Sequence, residues 1–372
     1  MTAQPFISIV MPCLNEELTV GVCVQKARNW LEKSGRSGEV LVVDNGSVDR
    51  SPEIAQSAGA RLVYESKRGY GAALRRGFSE ARGEWIVMGD CDDTYDFSDL
   101  EPLVRPLEQG ADIAMGDRYA GGMAPGAMTW SHRYIGTPVI SMLLKMMAGA
   151  KSPDSQCGLR AMRADALRGL ELRTDGMELA SEMLLKASRR GLAITNVPIT
   201  YGTRVGEAKL NTIRDGWRHL RYLLLASPNY LFTLPGLLLV ALGAVLFLLS
   251  LPRAEIVIGG AHWQPVFAGG IFFVVGINAL LLGFVSRLYT TVRGLTNDDR
   301  LLRFYRRYLG FEVLLSIGFL CALVGAGIDI ALAVGVLGGI SSLVWAGIAQ
   351  SFIISGANIA LVGAMASLLE LE

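Results

Sequence analysis

Net charge is almost missing from this 372-residue chain, in which 35 basic residues stand against 34 acidic ones. Nothing in that balance points to nucleic acid as a partner. Cysteine is sparse as well: Cys13, Cys23, Cys91, Cys157 and Cys321 are scattered, odd in number and without a CxxC spacing. A disulfide framework or structural zinc site is not supported, and a reducing compartment is. No Lys or Arg precedes the first apolar stretch of MTAQPFISIVMPCLNEE, and Pro12 interrupts it. The start of the chain therefore reads as a first strand and not as a signal peptide.

The length has room for two or three domains, and charge divides it. Charged residues are spread evenly to about residue 225 and then nearly vanish, which lifts the mean hydropathy to +0.37. Four apolar stretches follow, at about 230–251, 265–286, 313–336 and 341–369. Each meets the roughly 20-residue requirement for a membrane-spanning helix. Between the second and third lie Arg287, Arg293, Arg300, Arg303, Arg306 and Arg307, whereas the loop before the second has only Arg253. By the positive-inside rule the Arg-rich loop is cytoplasmic, and an even number of spans puts the N-terminal domain and the C-terminus there too. The cell (plasma) membrane is the expected location.

The segment NTIRDGWRHLRYLLL (Asn211–Leu225) sets Ile213, Trp217, Leu220 and Leu224 against Arg214, Arg218 and Arg221, the pattern of a helix lying in the headgroup plane. Asp329 falls about 25 Å along its span at 1.5 Å per residue, near the far interface, and is expected to be solvated or to face the bundle. Gly318, Gly325 and the Gly335–Gly339 spacing permit close helix contact. The expected organisation is a catalytic domain over 1–210, an interfacial helix over 211–228 and a transmembrane domain over 229–372.

The first 210 residues alternate short β-rich runs (FISIVMP, EVLVVD, ARLVYE, EWIVMGD, ADIAMG) with helical patterns such as Glu17–Lys33 and Ala72–Ala81. That alternation predicts an α/β, Rossmann-like fold with a mostly parallel sheet, whose ligands bind beyond the carboxyl ends of the strands. Three polar strand ends converge there: Pro12 to Glu16, Asp44 to Asp49, and GDCDDTYDF.

The last places four aspartates in nine positions behind Trp85-Ile86-Val87-Met88. A calcium loop counted from Asp90 has acceptable ligands at Asp92, Thr94 and Glu101, but Tyr95 stands where the turn demands glycine. Asp90-Cys91-Asp92-Asp93-Thr94 also fits the DxDxT of aspartyl phosphatases, which normally carry it on the first strand with a later acidic pair. A third reading is a seat for a metal-bound diphosphate. Two carboxylates at i and i+2 can reach one Mg²⁺ or Mn²⁺, whose remaining positions take water and phosphate oxygens.

Residues 6 to about 228 resemble the family 2 glycosyltransferases of the GT-A fold, and more closely the polyprenyl-phosphate hexose synthases, of which dolichol-phosphate mannose synthase is an example. The resemblance runs through Pro12–Glu16, Asp44 with Ser47 and Asp49, and Arg68-Gly69-Tyr70-Gly71. It continues in Asp90-x-Asp92, Gly116-Asp117-Arg118, Asp154–Arg160, and Val197-Pro198-Ile199 followed by Arg204 and Lys209. Some members of the family also carry four C-terminal spans.

The resemblance implies a metal-dependent, inverting hexosyltransferase. It would move mannose or glucose from GDP-mannose or UDP-glucose to a polyprenyl or dolichyl monophosphate. Pro12, Asn15, Glu16, Asp44, Arg68 and Gly71 would hold the nucleotide. Asp90 and Asp92 would be the catalytic, Mg²⁺- or Mn²⁺-binding pair. Relatives often have Gln where this chain has Thr94, so the third ligand falls to Thr94, Asp93 or water. Arg118, Arg133 and Thr137 match the positions that hold the acceptor phosphate. Gln156, Arg160, Arg204 and Lys209 match donor-site or lid positions, and Ala208 replaces the usual Ser before the lysine. The implied partners are the sugar nucleotide, the lipid phosphate and the bilayer, with room for a homo-oligomer. A processive polysaccharide synthase shares this core but would show QxxRW. Gln156 to Ala161 is one residue longer and lacks the Trp.

Overall fold

Seven segments pair into one sheet: β1 (Ile7–Cys13), β2 (Gly38–Asp44), β3 (Arg61–Tyr64), β4 (Trp85–Met88), β5 (Ile113–Asp117), β6 (Arg160–Arg163) and β7 (Ile194–Pro198). The computed structural model describes residues 5–206, 212–251, 255–258, 261–292, 300–337 and 342–371. Ala208, Lys209, Asn211, Arg253, Arg293 and Gly339, to which the sequence analysis gives roles, lie outside the described residues. Two compact units result, Met1–Leu223 and Leu224–Glu372.

The strand order is β3-β2-β1-β4-β6-β5-β7. β1 pairs in parallel with β2 and β4, β2 with β3, and β5 with β7. β6 alone runs antiparallel, between β4 and β5, so the sheet is mostly but not wholly parallel. Both faces of β1 are buried. Ile7, Ile9 and Met11 share a core with Val20, Cys23, Val24 and Ala27 of the helix Val20–Ser34. On the other face Val10 and Val43 meet Gly77 of the helix Tyr70–Glu80, where a Cβ would come 2.4 Å from Val10 Cγ1. Helices on both faces are why the central strands read as continuous apolar runs. The parallel strands β1, β2 and β4 therefore end on one edge, and the polar loops after them meet there.

Two helices begin elsewhere than their periodicity predicts. The first starts at Val20 and not Glu17, because Asn15 takes φ 50° and the next residues turn. The third starts at Tyr70, two residues before Ala72. The helix Thr137–Ala148 is entered through a π-helical turn, His132–Gly136.

Among the described residues of the second unit, four helices are long and apolar enough to cross a membrane: Asn229–Ser250, Pro265–Val292, Phe311–Ala333 and Ser342–Glu370. Small residues let them approach: a Cβ on Gly318 would come 2.5 Å from Gly356 O, and one on Gly356 2.4 Å from Gly318 O. Gly335 is not part of such a contact. The third helix stops at Ala333, and Gly335 follows in a turn at φ 76°. Asp329 faces the bundle, accepting a hydrogen bond from Gln350 Nε2 at 2.9 Å, and Asn358 Nδ2 donates to Asn278 Oδ1 at 2.7 Å.

Candidate active site

The loop after β4 carries Asp90 and Asp92 with their carboxylates held differently. Asp90 Oδ1 accepts from the Tyr70 hydroxyl at 2.8 Å. Its Oδ2 faces Gly158, where an added Cβ would come within 2.8 Å of that oxygen. Asp92 is 6% exposed. Its Oδ1 accepts from the Thr94 backbone N–H at 3.1 Å and from Thr94 Oγ1 at 2.5 Å. Its Oδ2 lies 3.0 Å from Arg204 Nη1, and the other arm of that guanidinium pairs with Glu16.

Thr94 thus orients Asp92. Asp93 is turned away at φ 61° and bonded to Lys26 Nζ at 2.7 Å, so it is not placed beside Asp90 and Asp92 as a further ligand. Among the described residues no group of three or more His, Cys, Asp or Glu is arranged to hold a metal.

Charge explains what the pair is suited to. Burial, followed by the charge of Asp92, pushes the Asp90 carboxyl up to about 7, against the Tyr70 hydrogen bond and the more distant Arg204 and Arg118. Among the described residues the Asp90 carboxyl has no cation paired directly with it, and its hard oxygens, with those of Asp92, suit a divalent cation such as Mg²⁺ or Mn²⁺.

The loops after β1 and β2 are stitched together. Asn15 N donates to Ser47 Oγ at 2.9 Å, and Val48 N returns a bond to Asn15 Oδ1 at 2.8 Å. Glu16 N reaches Ser51 Oγ at 2.7 Å, and Glu17 N reaches Asp49 Oδ2 at 3.1 Å. Asp44, at the end of β2, is 3% exposed and accepts from the backbone N–H groups of Gly46 and Ser47. Pro12 lies one residue from the end of β1, and its carbonyl accepts from Cys91 Sγ. Asn45 belongs to this set, though nothing in the sequence singled it out. Its Nδ2 donates to Glu65 O and Lys67 O, and its Oδ1 accepts from Gly69 N at 2.7 Å. Arg68 closes the loop by donating to Asn45 O at 2.9 Å.

Arg68-Gly69-Tyr70-Gly71 is backed by the segment Thr174–Gly176. A Cβ on Gly71 would come 2.6 Å from Thr174 O, which explains glycine there, and Ala72 N donates to Asp175 O. Glu182, 1% exposed, fixes that backing by accepting from Arg173 N, Thr174 N and Thr174 Oγ1.

Of the residues that the sequence matches to an acceptor phosphate, Arg133 is exposed and Thr137 buried. Tyr119 joins them: its hydroxyl donates to Arg133 O at 2.8 Å, and it also bonds the Thr137 side chain. Arg118, next in sequence to Tyr119, is 6% exposed and clamped by Nε and Nη2 to Asp154, each at 2.7 Å. Its guanidinium lies over the Tyr201 ring.

Arg160 differs from its sequence-based expectation. It is 0% exposed, and its guanidinium donates to the carbonyls of Cys157, Ser155 and Ala180. It holds the Asp154–Gly158 segment from behind and does not face a ligand. In that segment Gln156 alone is partly exposed.

The model of the glycosyl transferase family 2 matches residues 8–170. The low-salt glycan biosynthesis hexosyltransferase Agl6 of Haloferax volcanii is 39% identical over 294 residues, covering 78% of this chain and 70% of the relative. A dolichyl-phosphate hexose transferase from the same organism is 34% identical over 219 residues, covering 58% of this chain and 92% of that one. Glucosyl-3-phosphoglycerate synthase from Mycobacterium tuberculosis aligns with a TM-score of 0.48 at 22% identity, over 59% of this chain and 79% of its own. With a mostly parallel GT-A sheet followed by four long apolar helices, this chain belongs to the family 2 glycosyltransferases.

Proposed function

We propose that the protein transfers a hexose from a nucleoside-diphosphate sugar to a polyprenyl or dolichyl monophosphate, inverting the anomeric centre. The observation that carries this reading is the meeting of Asp90, Asp92, Arg204 and Glu16 beside the stitched loops after β1 and β2. The names of the relatives, among them a dolichyl-phosphate hexose transferase and a dolichol-phosphate mannosyltransferase from Pyrococcus furiosus, support the lipid acceptor.

Pro12, Asn15, Glu16, Asp44, Arg68 and Gly71 form the nucleotide side. Asp90 and Asp92 would hold Mg²⁺ or Mn²⁺, which when bound offsets the charge gathering on a departing diphosphate. Arg204, already at this spot, adds a second positive charge to the same end. Lys209 is assigned to the same lid. Arg133 and Thr137 receive the acceptor phosphate, whereas Arg118, matched to the same role by sequence, is engaged by Asp154 and supports this side of the site from within. Such a phosphate is ionised near neutral pH, so its oxygen attacks the anomeric carbon without a general base. Catalysis is then positioning and electrostatics.

A lipid acceptor also accounts for a surface that water alone does not explain. Trp130, Tyr134, Ile135, Val139, Met142 and Met146 are all exposed on and beside the helix Thr137–Ala148, next to Arg133. The helix Thr212–Leu225 buries Asp215, His219 and Leu223 and exposes Trp217, Arg218 and Arg221. Both faces suit a headgroup layer. The proposed organisation is the catalytic domain, then the interfacial helix, then four spans. The Arg-rich stretch of Arg287, Arg300, Arg303, Arg306 and Arg307 is placed in the cytoplasm of a plasma-membrane protein. The test is to incubate the purified protein with polyprenyl phosphate, Mn²⁺ and either GDP-mannose or UDP-glucose. Labelled sugar in the chloroform phase is expected, and its absence with both donors contradicts the reading.

A further inference from the structure

Beneath Gln156 runs a buried chain of polar side chains to which the reaction as described assigns no work. Gln156 Nε2 donates to Ser155 Oγ at 3.1 Å and to Ser181 Oγ at 3.2 Å. Ser181 Oγ lies 2.8 Å from His219 Nδ1. On the other side Ser155 Oγ meets Ser141 Oγ at 2.9 Å. Ser155 and Ser181 are 0% exposed and His219 5%. Four parts of the fold are joined in this way: the helices Thr137–Ala148, Leu179–Arg189 and Thr212–Leu225, and the Asp154–Gly158 segment.

Proton accounting gives the chain a direction. The Gln156 amide nitrogen has two hydrogens, and both serine oxygens receive one. Ser181, 0% exposed and accepting from Gln156, finds in His219 Nδ1 an acceptor for its own hydroxyl proton when the imidazole is neutral with its hydrogen on Nε2. Burial agrees, holding the imidazole down at about 4, with Arg160 and His132 acting in the same sense and Asp215 against them. A hydrogen on Nδ1 would take that acceptor away and leave the buried Ser181 hydroxyl free to turn its proton toward the Gln156 amide. With both N–H groups engaged below, Oε1 is the end of the amide left for a ligand. It belongs to the partly exposed residue of a segment whose Gly158 packs against Asp90 Oδ2.

We propose that His219 and Ser181 are positioning residues that fix the Gln156 amide so that Oε1 presents a hydrogen-bond acceptor to a hydroxyl of the donor hexose. The proposal rests on the reading of the chain as a sugar-nucleotide transferase, and it adds the device that sets the polarity of one sugar contact. The helix bearing His219 is the one whose other face exposes Trp217, Arg218 and Arg221.

The test compares affinities of the full-length protein for UDP-glucose against UDP, and for GDP-mannose against GDP, by calorimetry with Mn²⁺ present. Gln156→Ala, Ser181→Ala and His219→Leu are each expected to weaken the sugar nucleotide that the wild type prefers about five- to tenfold. The matching nucleoside diphosphate should bind unchanged. His219→Asn, whose Oδ1 accepts where Nδ1 did, should stay within twofold of wild type. In a Gln156→Ala background, His219→Leu should cause no further loss.

Equal losses for both ligands, no loss, or additive losses in the double variant overturn the proposal. If His219→Leu does not fold, Ser181→Ala removes only one oxygen and carries the same expectation. A wild type that binds a sugar nucleotide but transfers nothing to polyprenyl phosphate overturns the proposed reaction and leaves this comparison valid. Binding of neither sugar nucleotide overturns both.

Discussion

Arg204 and Asp92 form an ion pair at 3.0 Å although 112 residues separate them in sequence, and the same guanidinium pairs with Glu16. One cation therefore joins the strand end proposed for the nucleotide to the carboxylate proposed for the metal.

That arrangement sets Arg204 in competition with a metal for Asp92 when no nucleotide is bound and in partnership with it once a diphosphate is bound. Arg204→Gln is expected to tighten Mn²⁺ binding several-fold without nucleotide while lowering transfer about tenfold, an effect of about 1.4 kcal/mol on the barrier. Electron paramagnetic resonance titration of Mn²⁺ and a transfer assay read the two effects. Weaker metal binding in this variant would contradict the competition.

Arg118 and Asp154 are a buried pair with side-chain exposures of 7% and 0%. Arg118→Met strands the Asp154 carboxylate, and breaking such a pair costs about 3–5 kcal/mol. The expected result is a melting temperature of the N-terminal unit lowered by about 10 °C. Arg118→Met combined with Asp154→Leu should recover much of the loss, because no uncompensated charge remains. If the double variant is no more stable than the single, the stranded charge is not the cause.

His219 predicts a pH dependence. Its value in the folded protein is lowered from 6.5 to about 4, so between these values the unfolded chain binds a proton that the folded one does not. Its contribution is complete above about pH 6.5 and is lost as pH falls toward 4, where the loss is roughly 3 kcal/mol. Wild type should therefore lose stability relative to His219→Asn as the pH is lowered through this window, read from the melting curves of the two proteins. A constant difference between them would contradict the burial argument.

Much of this was legible in the sequence, for reasons that particular residues show. β1, β2 and β4 announce themselves because helices cover both faces and the strands must be apolar throughout. Asp44, Asp90 and Asp92 stand out because each follows such a run. β6 was not legible: Arg160-Ala-Met-Arg163 begins with a cation that is buried only because three carbonyls receive it.

Asn45, Tyr70 and the pair Ser181–His219 were missed for a related reason. Their roles lie in contacts 20 to 38 residues away in sequence, made by residue types common in any loop or helix. Asp93 could not be separated from its neighbours by composition. Its left-handed backbone and Lys26 remove it from the pair.

The central claim is that the Asp90–Asp92 pair, with a divalent cation, supports sugar transfer to a lipid phosphate. The most direct test is to assay Asp92→Asn for chloroform-soluble product beside the wild type, each protein shown to be folded by its melting curve. A loss of at least a hundredfold, together with lost Mn²⁺ binding, is expected. Undiminished transfer by a folded Asp92→Asn protein would contradict the account.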